Sequence, residues 1–389
     1  MFYYLVRFYV RVALLFFCRS IRVNDKNELN QKGPLLLACT HPNSFFDAVL
    51  LGSKFNAPVH FLARGDAFNK PFVKKLLVAL KCIPIYRLKE GREYLSLNDA
   101  TFEHCKGILQ QGGIILIFSE GLCIHQWKLR PLKKGTARIA ISTWNDSQET
   151  PLRVLPVSIN YNSFNNFGKR IIVEFGTSIK KQDIKPGNEA EQINQFNQRL
   201  CIELEKGILT TENHQILIQF LLSNLPYKES VTTETLKKLQ LLLIEKGFQD
   251  DLASISPPGL ILFSKNDIPL QIALLILLAI PAMAGLLLNS ILYVSLKRII
   301  QQKTTGTVFF DSAMFAALLL FYPLYYLIIN FCIFILTHNL LIRVMVLSAP
   351  FFALASILFV EGLQRITNYY KLEGERRIQL KRLFDFVKA

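Results

Sequence analysis

The sequence is poor in the patterns that build metal centres and disulfide frameworks. Its seven cysteines are an odd number, no two of them form a Cys-x-x-Cys pair, and no histidine clusters with them. We therefore expect no metal site and no disulfides, and thiols that are reduced and mostly buried. There is also no internal repeat and no low-complexity segment, so the 389 residues are expected to form one to three domains.

Acidic residues are scarce relative to basic ones. The chain has 29 Asp and Glu against 45 Lys and Arg, a formal net charge of +16, which predicts an anionic partner, either nucleic acid or anionic lipid. The hydrophobic fraction is 51% and the mean hydropathy is +0.28, and long apolar runs near the C-terminus account for much of both. The basic residues accompany these runs rather than a nucleic-acid reading motif, which favours a phospholipid membrane and no nucleic acid.

The first 23 residues are apolar and aromatic but are interrupted by four arginines. On a helix, Arg7, Arg11, Arg19 and Arg22 fall within an arc of about 120°. This pattern predicts an amphipathic helix with a cationic stripe that lies in a membrane interface. The alternative is a helix packed on the protein itself. A cleaved signal peptide is disfavoured, because the arginines break the apolar region and no small-x-small site follows.

Between residues 33 and 176, apolar strand patterns alternate with helical patterns. Such alternation predicts an α/β fold with a central mixed, largely parallel sheet and flanking helices. Together with the N-terminal amphipathic helix and C-terminal transmembrane helices, this is the expected fold class. The predicted strands are 35–39, 58–63, 82–86, 114–118, 154–159 and 170–175, and the predicted helices lie near 44–54, 67–80, 92–111 and 135–145.

Three apolar segments follow a polar helical stretch. Segments 313–336 and 344–360 are long enough to span a bilayer, whereas 269–295 contains Pro281 and Gly285 near its middle. Three crossings would place the basic loop after the first segment and the basic tail opposite the basic α/β domain, against the positive-inside tendency. We therefore expect a re-entrant hairpin, two spanning helices and a cytoplasmic α/β domain. The predicted domains are an interface helix (1–28), the α/β domain (29–185), a helical extension (186–266), the membrane region (267–362) and a basic cytoplasmic tail (363–389).

The most informative stretch follows the apolar run at residues 35–39. His41 and Asp47 lie six positions apart, and Asn43 or Ser44 between them can cap a helix. On a regular helix their side chains would be about 120° apart, so they meet only if His41 lies in the turn before the helix. If they meet, Asp47 can hold the proton on one imidazole nitrogen and leave the other free as a base. The alternative is a strand-end histidine and a solvated helical aspartate.

Three other predicted strands carry polar residues or a proline that bear on His41. One ends at Arg87, one ends in Phe118-Ser119-Glu120-Gly121, and one contains Pro156. The ends of parallel strands gather at one edge of a sheet, and an arginine there suits a phosphate, because its fork can bind two oxygens. Each of these residues is also consistent with an ordinary surface ion pair or a structural role.

In this order, the stretches resemble the glycerophospholipid acyltransferase family, which includes bacterial lysophosphatidate acyltransferases. That family has a His-x4-Asp block, an arginine block, a Phe-Pro-Glu-Gly block and a proline-containing strand, and the run at residues 131–135 also resembles it. The resemblance covers about residues 33–176. It implies that His41 is the general base and Asp47 its orienting partner. It further implies that Arg87 binds the acceptor's phosphate, that Ser119, Glu120 and Gly121 form part of the acceptor site, and that Pro156 supports its floor.

The sequence departs from the family pattern at two places. Five residues rather than four separate His41 from Asp47. In the acidic block, Ser119 replaces the usual proline, and the Thr-Arg that commonly follows the glycine is Leu122-Cys123 here. A phosphate-binding arginine is therefore missing at that spot. Nearby basic residues are the candidates to supply its charge; they are Arg64, Lys128, Arg130, Lys133, Lys134 and Arg138.

The resemblance implies a membrane-bound O-acyltransferase of phospholipid biosynthesis. The acyl donor would be a thioester, acyl-CoA or acyl carrier protein, with no other cofactor, and the acceptor would be lysophosphatidate or glycerol-3-phosphate. A base that deprotonates a glycerol hydroxyl is worth about 10²–10⁴-fold in rate, and an activated thioester requires no covalent nucleophile. Because of the departures at Ser119 and Leu122, a non-catalytic, membrane-anchored lipid-binding or scaffold protein with the same fold stays an alternative.

Overall fold

The computed structural model describes residues 1–86, 97–146, 151–165, 167–211, 215–224, 232–253, 268–371 and 374–388. The chain divides into two compact units. The α/β unit comprises residues 1–14, 21–160 and 172–210, and the helical unit comprises residues 15–20, 161–171 and 211–389.

The first part of the chain alternates strands and helices as predicted. The elements, in chain order, are α1 Phe2–Phe17, β1 Cys18–Val23, β2 Leu35–Cys39, α2 Ser44–Lys54, β3 Val59–Arg64, α3 Pro71–Ala79, β4 Cys82–Ile85, α4 Leu97–Gln110, β5 Ile114–Phe118, α5 Gly135–Asp146, β6 Arg153–Tyr161, β7 Lys169–Phe175 and α6 Glu189–Gly207. Each predicted strand is present within two residues of its expected bounds, whereas β1 was not predicted.

The seven strands form one mixed sheet in the order β1-β7-β6-β2-β5-β3-β4. The central strand β2 pairs in parallel with β5, where Leu35 lies opposite Ile114, and in parallel with β6, where Leu35 lies opposite Arg153. All five residues of β2 are fully buried, as expected for a strand covered on both faces, which needs an unbroken apolar run. The predicted fold class is thus confirmed.

Helix α6 packs on the sheet as part of the α/β unit. Its residues Ile193, Phe196, Leu200 and Leu204 recur at helical spacing and join the same buried cluster as Trp144 of α5. The predicted helical extension at 186–266 is therefore divided between the two units. Helix α6 belongs to the α/β unit, because its apolar face packs on the sheet. The remainder of that stretch belongs to the helical unit.

Helix α1 ends at Phe17, earlier than predicted, so the cationic stripe is shorter than the four arginines suggested. Arg7 donates a hydrogen bond to the carbonyl of Phe55 (3.0 Å), and Arg11 donates to that of Ser53, both at the end of α2. The last carbonyls of a helix lack partners and carry partial negative charge, which attracts these guanidinium groups. The prediction that this stripe faces a membrane is wrong for Arg7 and Arg11. The residues of α1 that face outward are apolar and include Phe2, Leu5 and Phe8.

In the helical unit, four helices enclose a small core. They are α7 Gln215–Asn224, α8 Thr233–Glu245, α9 Phe248–Ala253 and α14 Gly374–Lys388. Phe220, Leu243, Phe248 and Leu380 pack together and are almost wholly buried. Part of the stretch predicted as a basic tail forms α14, and its apolar residue Leu380 completes this core.

Three further helices are long and apolar enough to cross a membrane: α10 Ile268–Thr304, α11 Phe310–Leu336 and α13 Ala349–Lys371. They indicate membrane association. The third begins later than predicted, after a short helix α12 Leu340–Leu347 that ends just before Pro350.

The predicted re-entrant hairpin is wrong, because α10 is one continuous helix through Pro281 and Gly285. Gly285 serves close helix packing instead of a turn, since a Cβ there would lie 2.0 Å from the carbonyl oxygen of Phe352 in α13. A proline is tolerated in such a helix where neighbouring groups satisfy the freed backbone. The expectation of a cytoplasmic α/β domain rested on the hairpin and loses that support.

Candidate active site

The turn between β2 and α2, residues 40–43, is anchored on the neighbouring strand β6. The Thr40 amide donates to the carbonyl of Val157 (3.0 Å), and the Thr40 hydroxyl accepts a hydrogen bond from the amide of Ile159 (3.1 Å). Ser44 then has a φ of 51°, a left-handed conformation that is uncommon for a residue with a side chain. The extra residue between His41 and Asp47 is thus accommodated in a turn fixed at both ends.

His41 and Asp47 meet across this turn. His41 Nδ1 lies 2.9 Å from Asp47 Oδ2, and the same oxygen accepts a hydrogen bond from the amide of Asn43 (2.8 Å). The predicted contact is confirmed, and the alternative of a solvated aspartate is wrong, because Asp47 is completely buried. When Nδ1–H donates to the carboxylate, the neutral ring keeps a lone pair on Nε2. The His41 side chain is 17% exposed. We call these two residues the dyad.

Phe118, the last residue of β5, supports the imidazole ring. The two ring centroids are 3.7 Å apart and their planes differ by 11°. Because Phe118 lies directly opposite Cys39 in the β2–β5 register, it reaches the ring from the adjacent strand end. No role of its own was predicted for Phe118, and the signal that could have revealed one is an aromatic residue at the end of the strand next to β2.

Glu120 and Arg130 hold the backbone of His41. Glu120 Oε2 accepts hydrogen bonds from the His41 amide (2.9 Å) and from the Arg130 guanidinium, which also donates to the carbonyls of His41 (3.2 Å) and Leu122. The Glu120 side chain is 2% exposed and the Arg130 side chain is 13% exposed. Both polar backbone groups of the histidine are therefore fixed by one buried ion pair, which we call the Glu120–Arg130 clamp.

The clamp changes the interpretation of two residues that were predicted to bind substrate. Glu120 uses both carboxylate oxygens within the protein, since Oε1 accepts from the Arg130 amide (3.1 Å). Arg130 lies against the backbone of the turn, so its geometry supports positioning of His41. Contacts of these two side chains with a substrate stay a prediction.

The rest of the acidic turn connects β5 to the start of α5. Ser119 is buried, its hydroxyl accepts a hydrogen bond from Thr136 (3.0 Å), and its carbonyl accepts one from the amide of Lys133 (2.7 Å). Gly121 has a φ of 69°, and a Cβ there would lie 2.9 Å from Lys133 Cγ, so this position requires glycine. Helix α5 begins at Gly135, as the run at residues 131–135 predicted.

Exposed cations lie at and near the same edge of the sheet. Arg64 ends β3, which pairs with β5, and its Nε donates to Asp66 (3.0 Å). Lys128, Lys133 and Lys134 follow the acidic turn and are exposed. Arg87, the predicted phosphate ligand, lies outside the described residues. Pro156, which was predicted to support the floor of the acceptor site, lies opposite Ala38 inside the sheet. Arg138, a candidate phosphate ligand, lies on α5 with its Nε 4.0 Å from Glu189 Oε1.

Two cysteines near the dyad lack the properties of a nucleophile. Burial raises the pKa of the Cys123 thiol to about 12, and burial also raises the pKa of Cys39 well above its ordinary value. Both thiols are therefore protonated near neutral pH and poorly reactive. Cys123 Sγ accepts a hydrogen bond from the amide of Ser44 at 2.8 Å and so helps to fix the start of α2. Among the described residues, no group of three His, Cys, Asp or Glu side chains could hold a metal ion.

Part of the chain is similar to a known protein family. Residues 20–160 match the family model described as Acyltransferase, and the matched range contains the dyad and the Glu120–Arg130 clamp. No curated protein matches the chain. One matching solved structure is the 1-acyl-sn-glycerophosphate (LPA) acyltransferase PlsC from Thermotoga maritima, at 18% identity and a TM-score of 0.37. The match covers 52% of this chain and 79% of that chain, a similarity too low to bear on function.

Proposed function

We propose that this chain, whose residues 20–160 match the Acyltransferase family model, is an O-acyltransferase that acylates a phosphorylated glycerol at a membrane. The donor is an acyl thioester, either acyl-CoA or acyl carrier protein. The acceptor is lysophosphatidate or glycerol-3-phosphate, and the product serves phospholipid biosynthesis. The single observation that carries this proposal is the dyad, in which a buried carboxylate holds Nδ1 of a histidine that is itself partly exposed.

The dyad supports a direct transfer. The acceptor hydroxyl gives its proton to Nε2 of His41 while its oxygen attacks the thioester carbonyl carbon. The tetrahedral intermediate collapses with loss of the carbon–sulfur bond, and the thiolate takes the proton from Nε2. Asp47 stabilises the imidazolium formed in between. Atoms and charge balance without a covalent enzyme intermediate, in agreement with the high pKa of Cys123.

The charges near the dyad support a phosphorylated acceptor. Lys133 and Lys134 are exposed just before α5, and Arg64 is exposed at the end of β3. Cations in such positions attract a phosphate. Helices α10, α11 and α13 are long and apolar enough to hold the chain in a bilayer, where a lysophospholipid acceptor also resides.

The test is acyl transfer by the full chain, reconstituted in lipid vesicles, with each of the two donors combined with each of the two acceptors. His41→Ala should lower kcat by about 10²–10⁴-fold for the productive pair. His104→Ala, which removes an exposed histidine on α4, is the matched control and should transfer at the wild-type rate. Undiminished turnover by His41→Ala would overturn the mechanism. Absence of wild-type transfer to both phosphorylated acceptors would overturn the proposed acceptor class.

A further inference from the structure

Helix α3 carries large apolar side chains that the described residues of the α/β unit leave exposed. Phe72, Leu76 and Val78 are 79%, 39% and 57% exposed, and no residue of this nine-residue helix is buried. Burial of a Phe or Leu side chain stabilises a protein, because it removes apolar surface from water. Several such side chains on one short helix therefore indicate a surface that is covered by something outside the unit.

The apolar side chains of α3 are arranged on a defined face. At about 100° per residue, Phe72, Leu76 and Ala79 lie within an arc of about 60°, whereas Val78 lies about 100° outside it. The half-buried residues Val73 and Leu77 lie on the other side of the helix, toward the protein. We call the exposed side, with its neighbouring lysines, the α3 outward face.

Lysines border this face. Lys75 lies about 40° beyond the apolar arc, and Lys70 precedes the helix, whereas Lys74 lies about 140° beyond the arc and does not border it; all three are exposed. Among the described residues, no carboxylate forms an ion pair with any of these lysines. An apolar arc bordered by unpaired lysines matches the chemistry of an anionic bilayer surface, with acyl chains below and phosphate groups at the rim.

We propose that the α3 outward face lies on the anionic surface of a lipid bilayer. Phe72 and Leu76 enter the boundary between headgroups and acyl chains, while Lys70 and Lys75 contact lipid phosphates. A bilayer is at hand because the same chain carries three helices able to cross one. The α3 surface differs from that of α1, whose arginines bind carbonyls of the protein itself. It was not evident from the sequence, where residues 67–80 predicted only a helix of the α/β fold.

The position of α3 relates this lipid contact to the access of an acceptor to the dyad. The helix connects β3 to β4 and begins seven residues after Arg64, the last residue of β3, so its first turn lies near the carboxyl edge of the sheet. Contact of Phe72 with lipid would bring that edge close to the headgroup layer. A membrane acceptor could then reach His41 without leaving the interface.

The experiment measures lipid contact directly and does not depend on acyl transfer. In the full chain, reconstituted in vesicles of phosphatidylcholine with a minor share of phosphatidylglycerol, Phe72→Trp places a fluorophore on the α3 outward face. Ile202→Trp is the matched control, because Ile202 on α6 is also a large exposed apolar residue (55%). The wild-type signal from the buried Trp127 and Trp144 is subtracted. Thermal unfolding identical to that of the wild type shows that both variants are folded.

Phosphatidylcholine brominated on its acyl chains should quench about half of the emission added at position 72 and leave that at position 202 unchanged. Adding Lys70→Glu and Lys75→Glu to Phe72→Trp should reduce this quenching, as should omission of phosphatidylglycerol. Equal quenching at positions 72 and 202 would overturn the proposal. Absence of quenching in vesicles would also overturn it. If the emission at position 72 then shifted to the blue as protein concentration rose, the partner would be a second copy of the chain.

Discussion

At the ends of β2 and β5, the polar side chains bond to one another and are largely buried, whereas around the end of β3 and the stretch before α5 the cations are exposed. The first region, the closed side, consists of His41, Asp47, Glu120 and Arg130. The second, the open side, consists of Arg64, Lys128, Lys133 and Lys134. A base needs fixed geometry before the substrate arrives, whereas attraction of a phosphate needs mainly charge. We therefore expect changes on the closed side to lower kcat, and changes on the open side to raise KM for the acceptor.

Among the variants that test the difference between the closed side and the open side, Asp47→Asn should have the largest effect on kcat. An amide cannot stabilise the imidazolium and allows the wrong tautomer of His41, so kcat should fall by about 10²–10⁴-fold while KM for the acceptor changes little. Steady-state acyl transfer in vesicles measures both constants. Asp99→Asn, an exposed aspartate on α4, is the control. A rise in KM with unchanged kcat would place Asp47 on the substrate-binding side instead.

The Glu120–Arg130 clamp should have the next largest effect, and it couples stability to rate. Arg130→Gln leaves the buried Glu120 carboxylate without its cation, which costs about 3–5 kcal/mol of unfolding free energy. The loosened His41 backbone should lower kcat by about tenfold to a hundredfold.

Thermal unfolding and steady-state kinetics together test the clamp. The double variant Glu120→Gln with Arg130→Gln should recover much of the stability, because no buried charge is left unpaired, but it should not recover the rate. Arg138→Gln, which removes a surface cation that faces Glu189 at 4.0 Å, should change neither. If Arg130→Gln raised only KM, and only for phosphorylated acceptors, Arg130 would be a phosphate ligand and the positioning role would be wrong.

The smallest effect is expected on the open side. Lys133→Ala combined with Lys134→Ala should raise KM for a phosphorylated acceptor by about fivefold at low salt, with kcat unchanged. The difference from wild type should shrink as salt screens exposed charges. An acceptor without a phosphate is the internal control and should show no change. A fall in kcat without a change in KM would mean that the two sides are not distinct.

The parts of the fold that were predictable are those in which the sequence pattern is local. The run at β2 is apolar at every position because both faces of the strand are covered. The spacing of His41 and Asp47 allowed them to meet across the turn, and the resemblance to the acyltransferase family implied that they do. The Glu120–Arg130 clamp was not predictable, because the loop between these residues decides where the guanidinium points. Gly285 illustrates the same limit: a glycine in an apolar run permits a turn or close helix packing, and only the presence of α13 shows which.

The central claim is that Asp47 acts on catalysis through His41. The most direct measurement compares the acyl-transfer rates of His41→Ala, Asp47→Asn and the double variant in the same vesicles. Two residues that act as one unit are strongly non-additive, so the double variant should be no slower than His41→Ala alone. If the two losses multiplied instead, Asp47 would contribute independently of His41, and the account of the dyad would be contradicted.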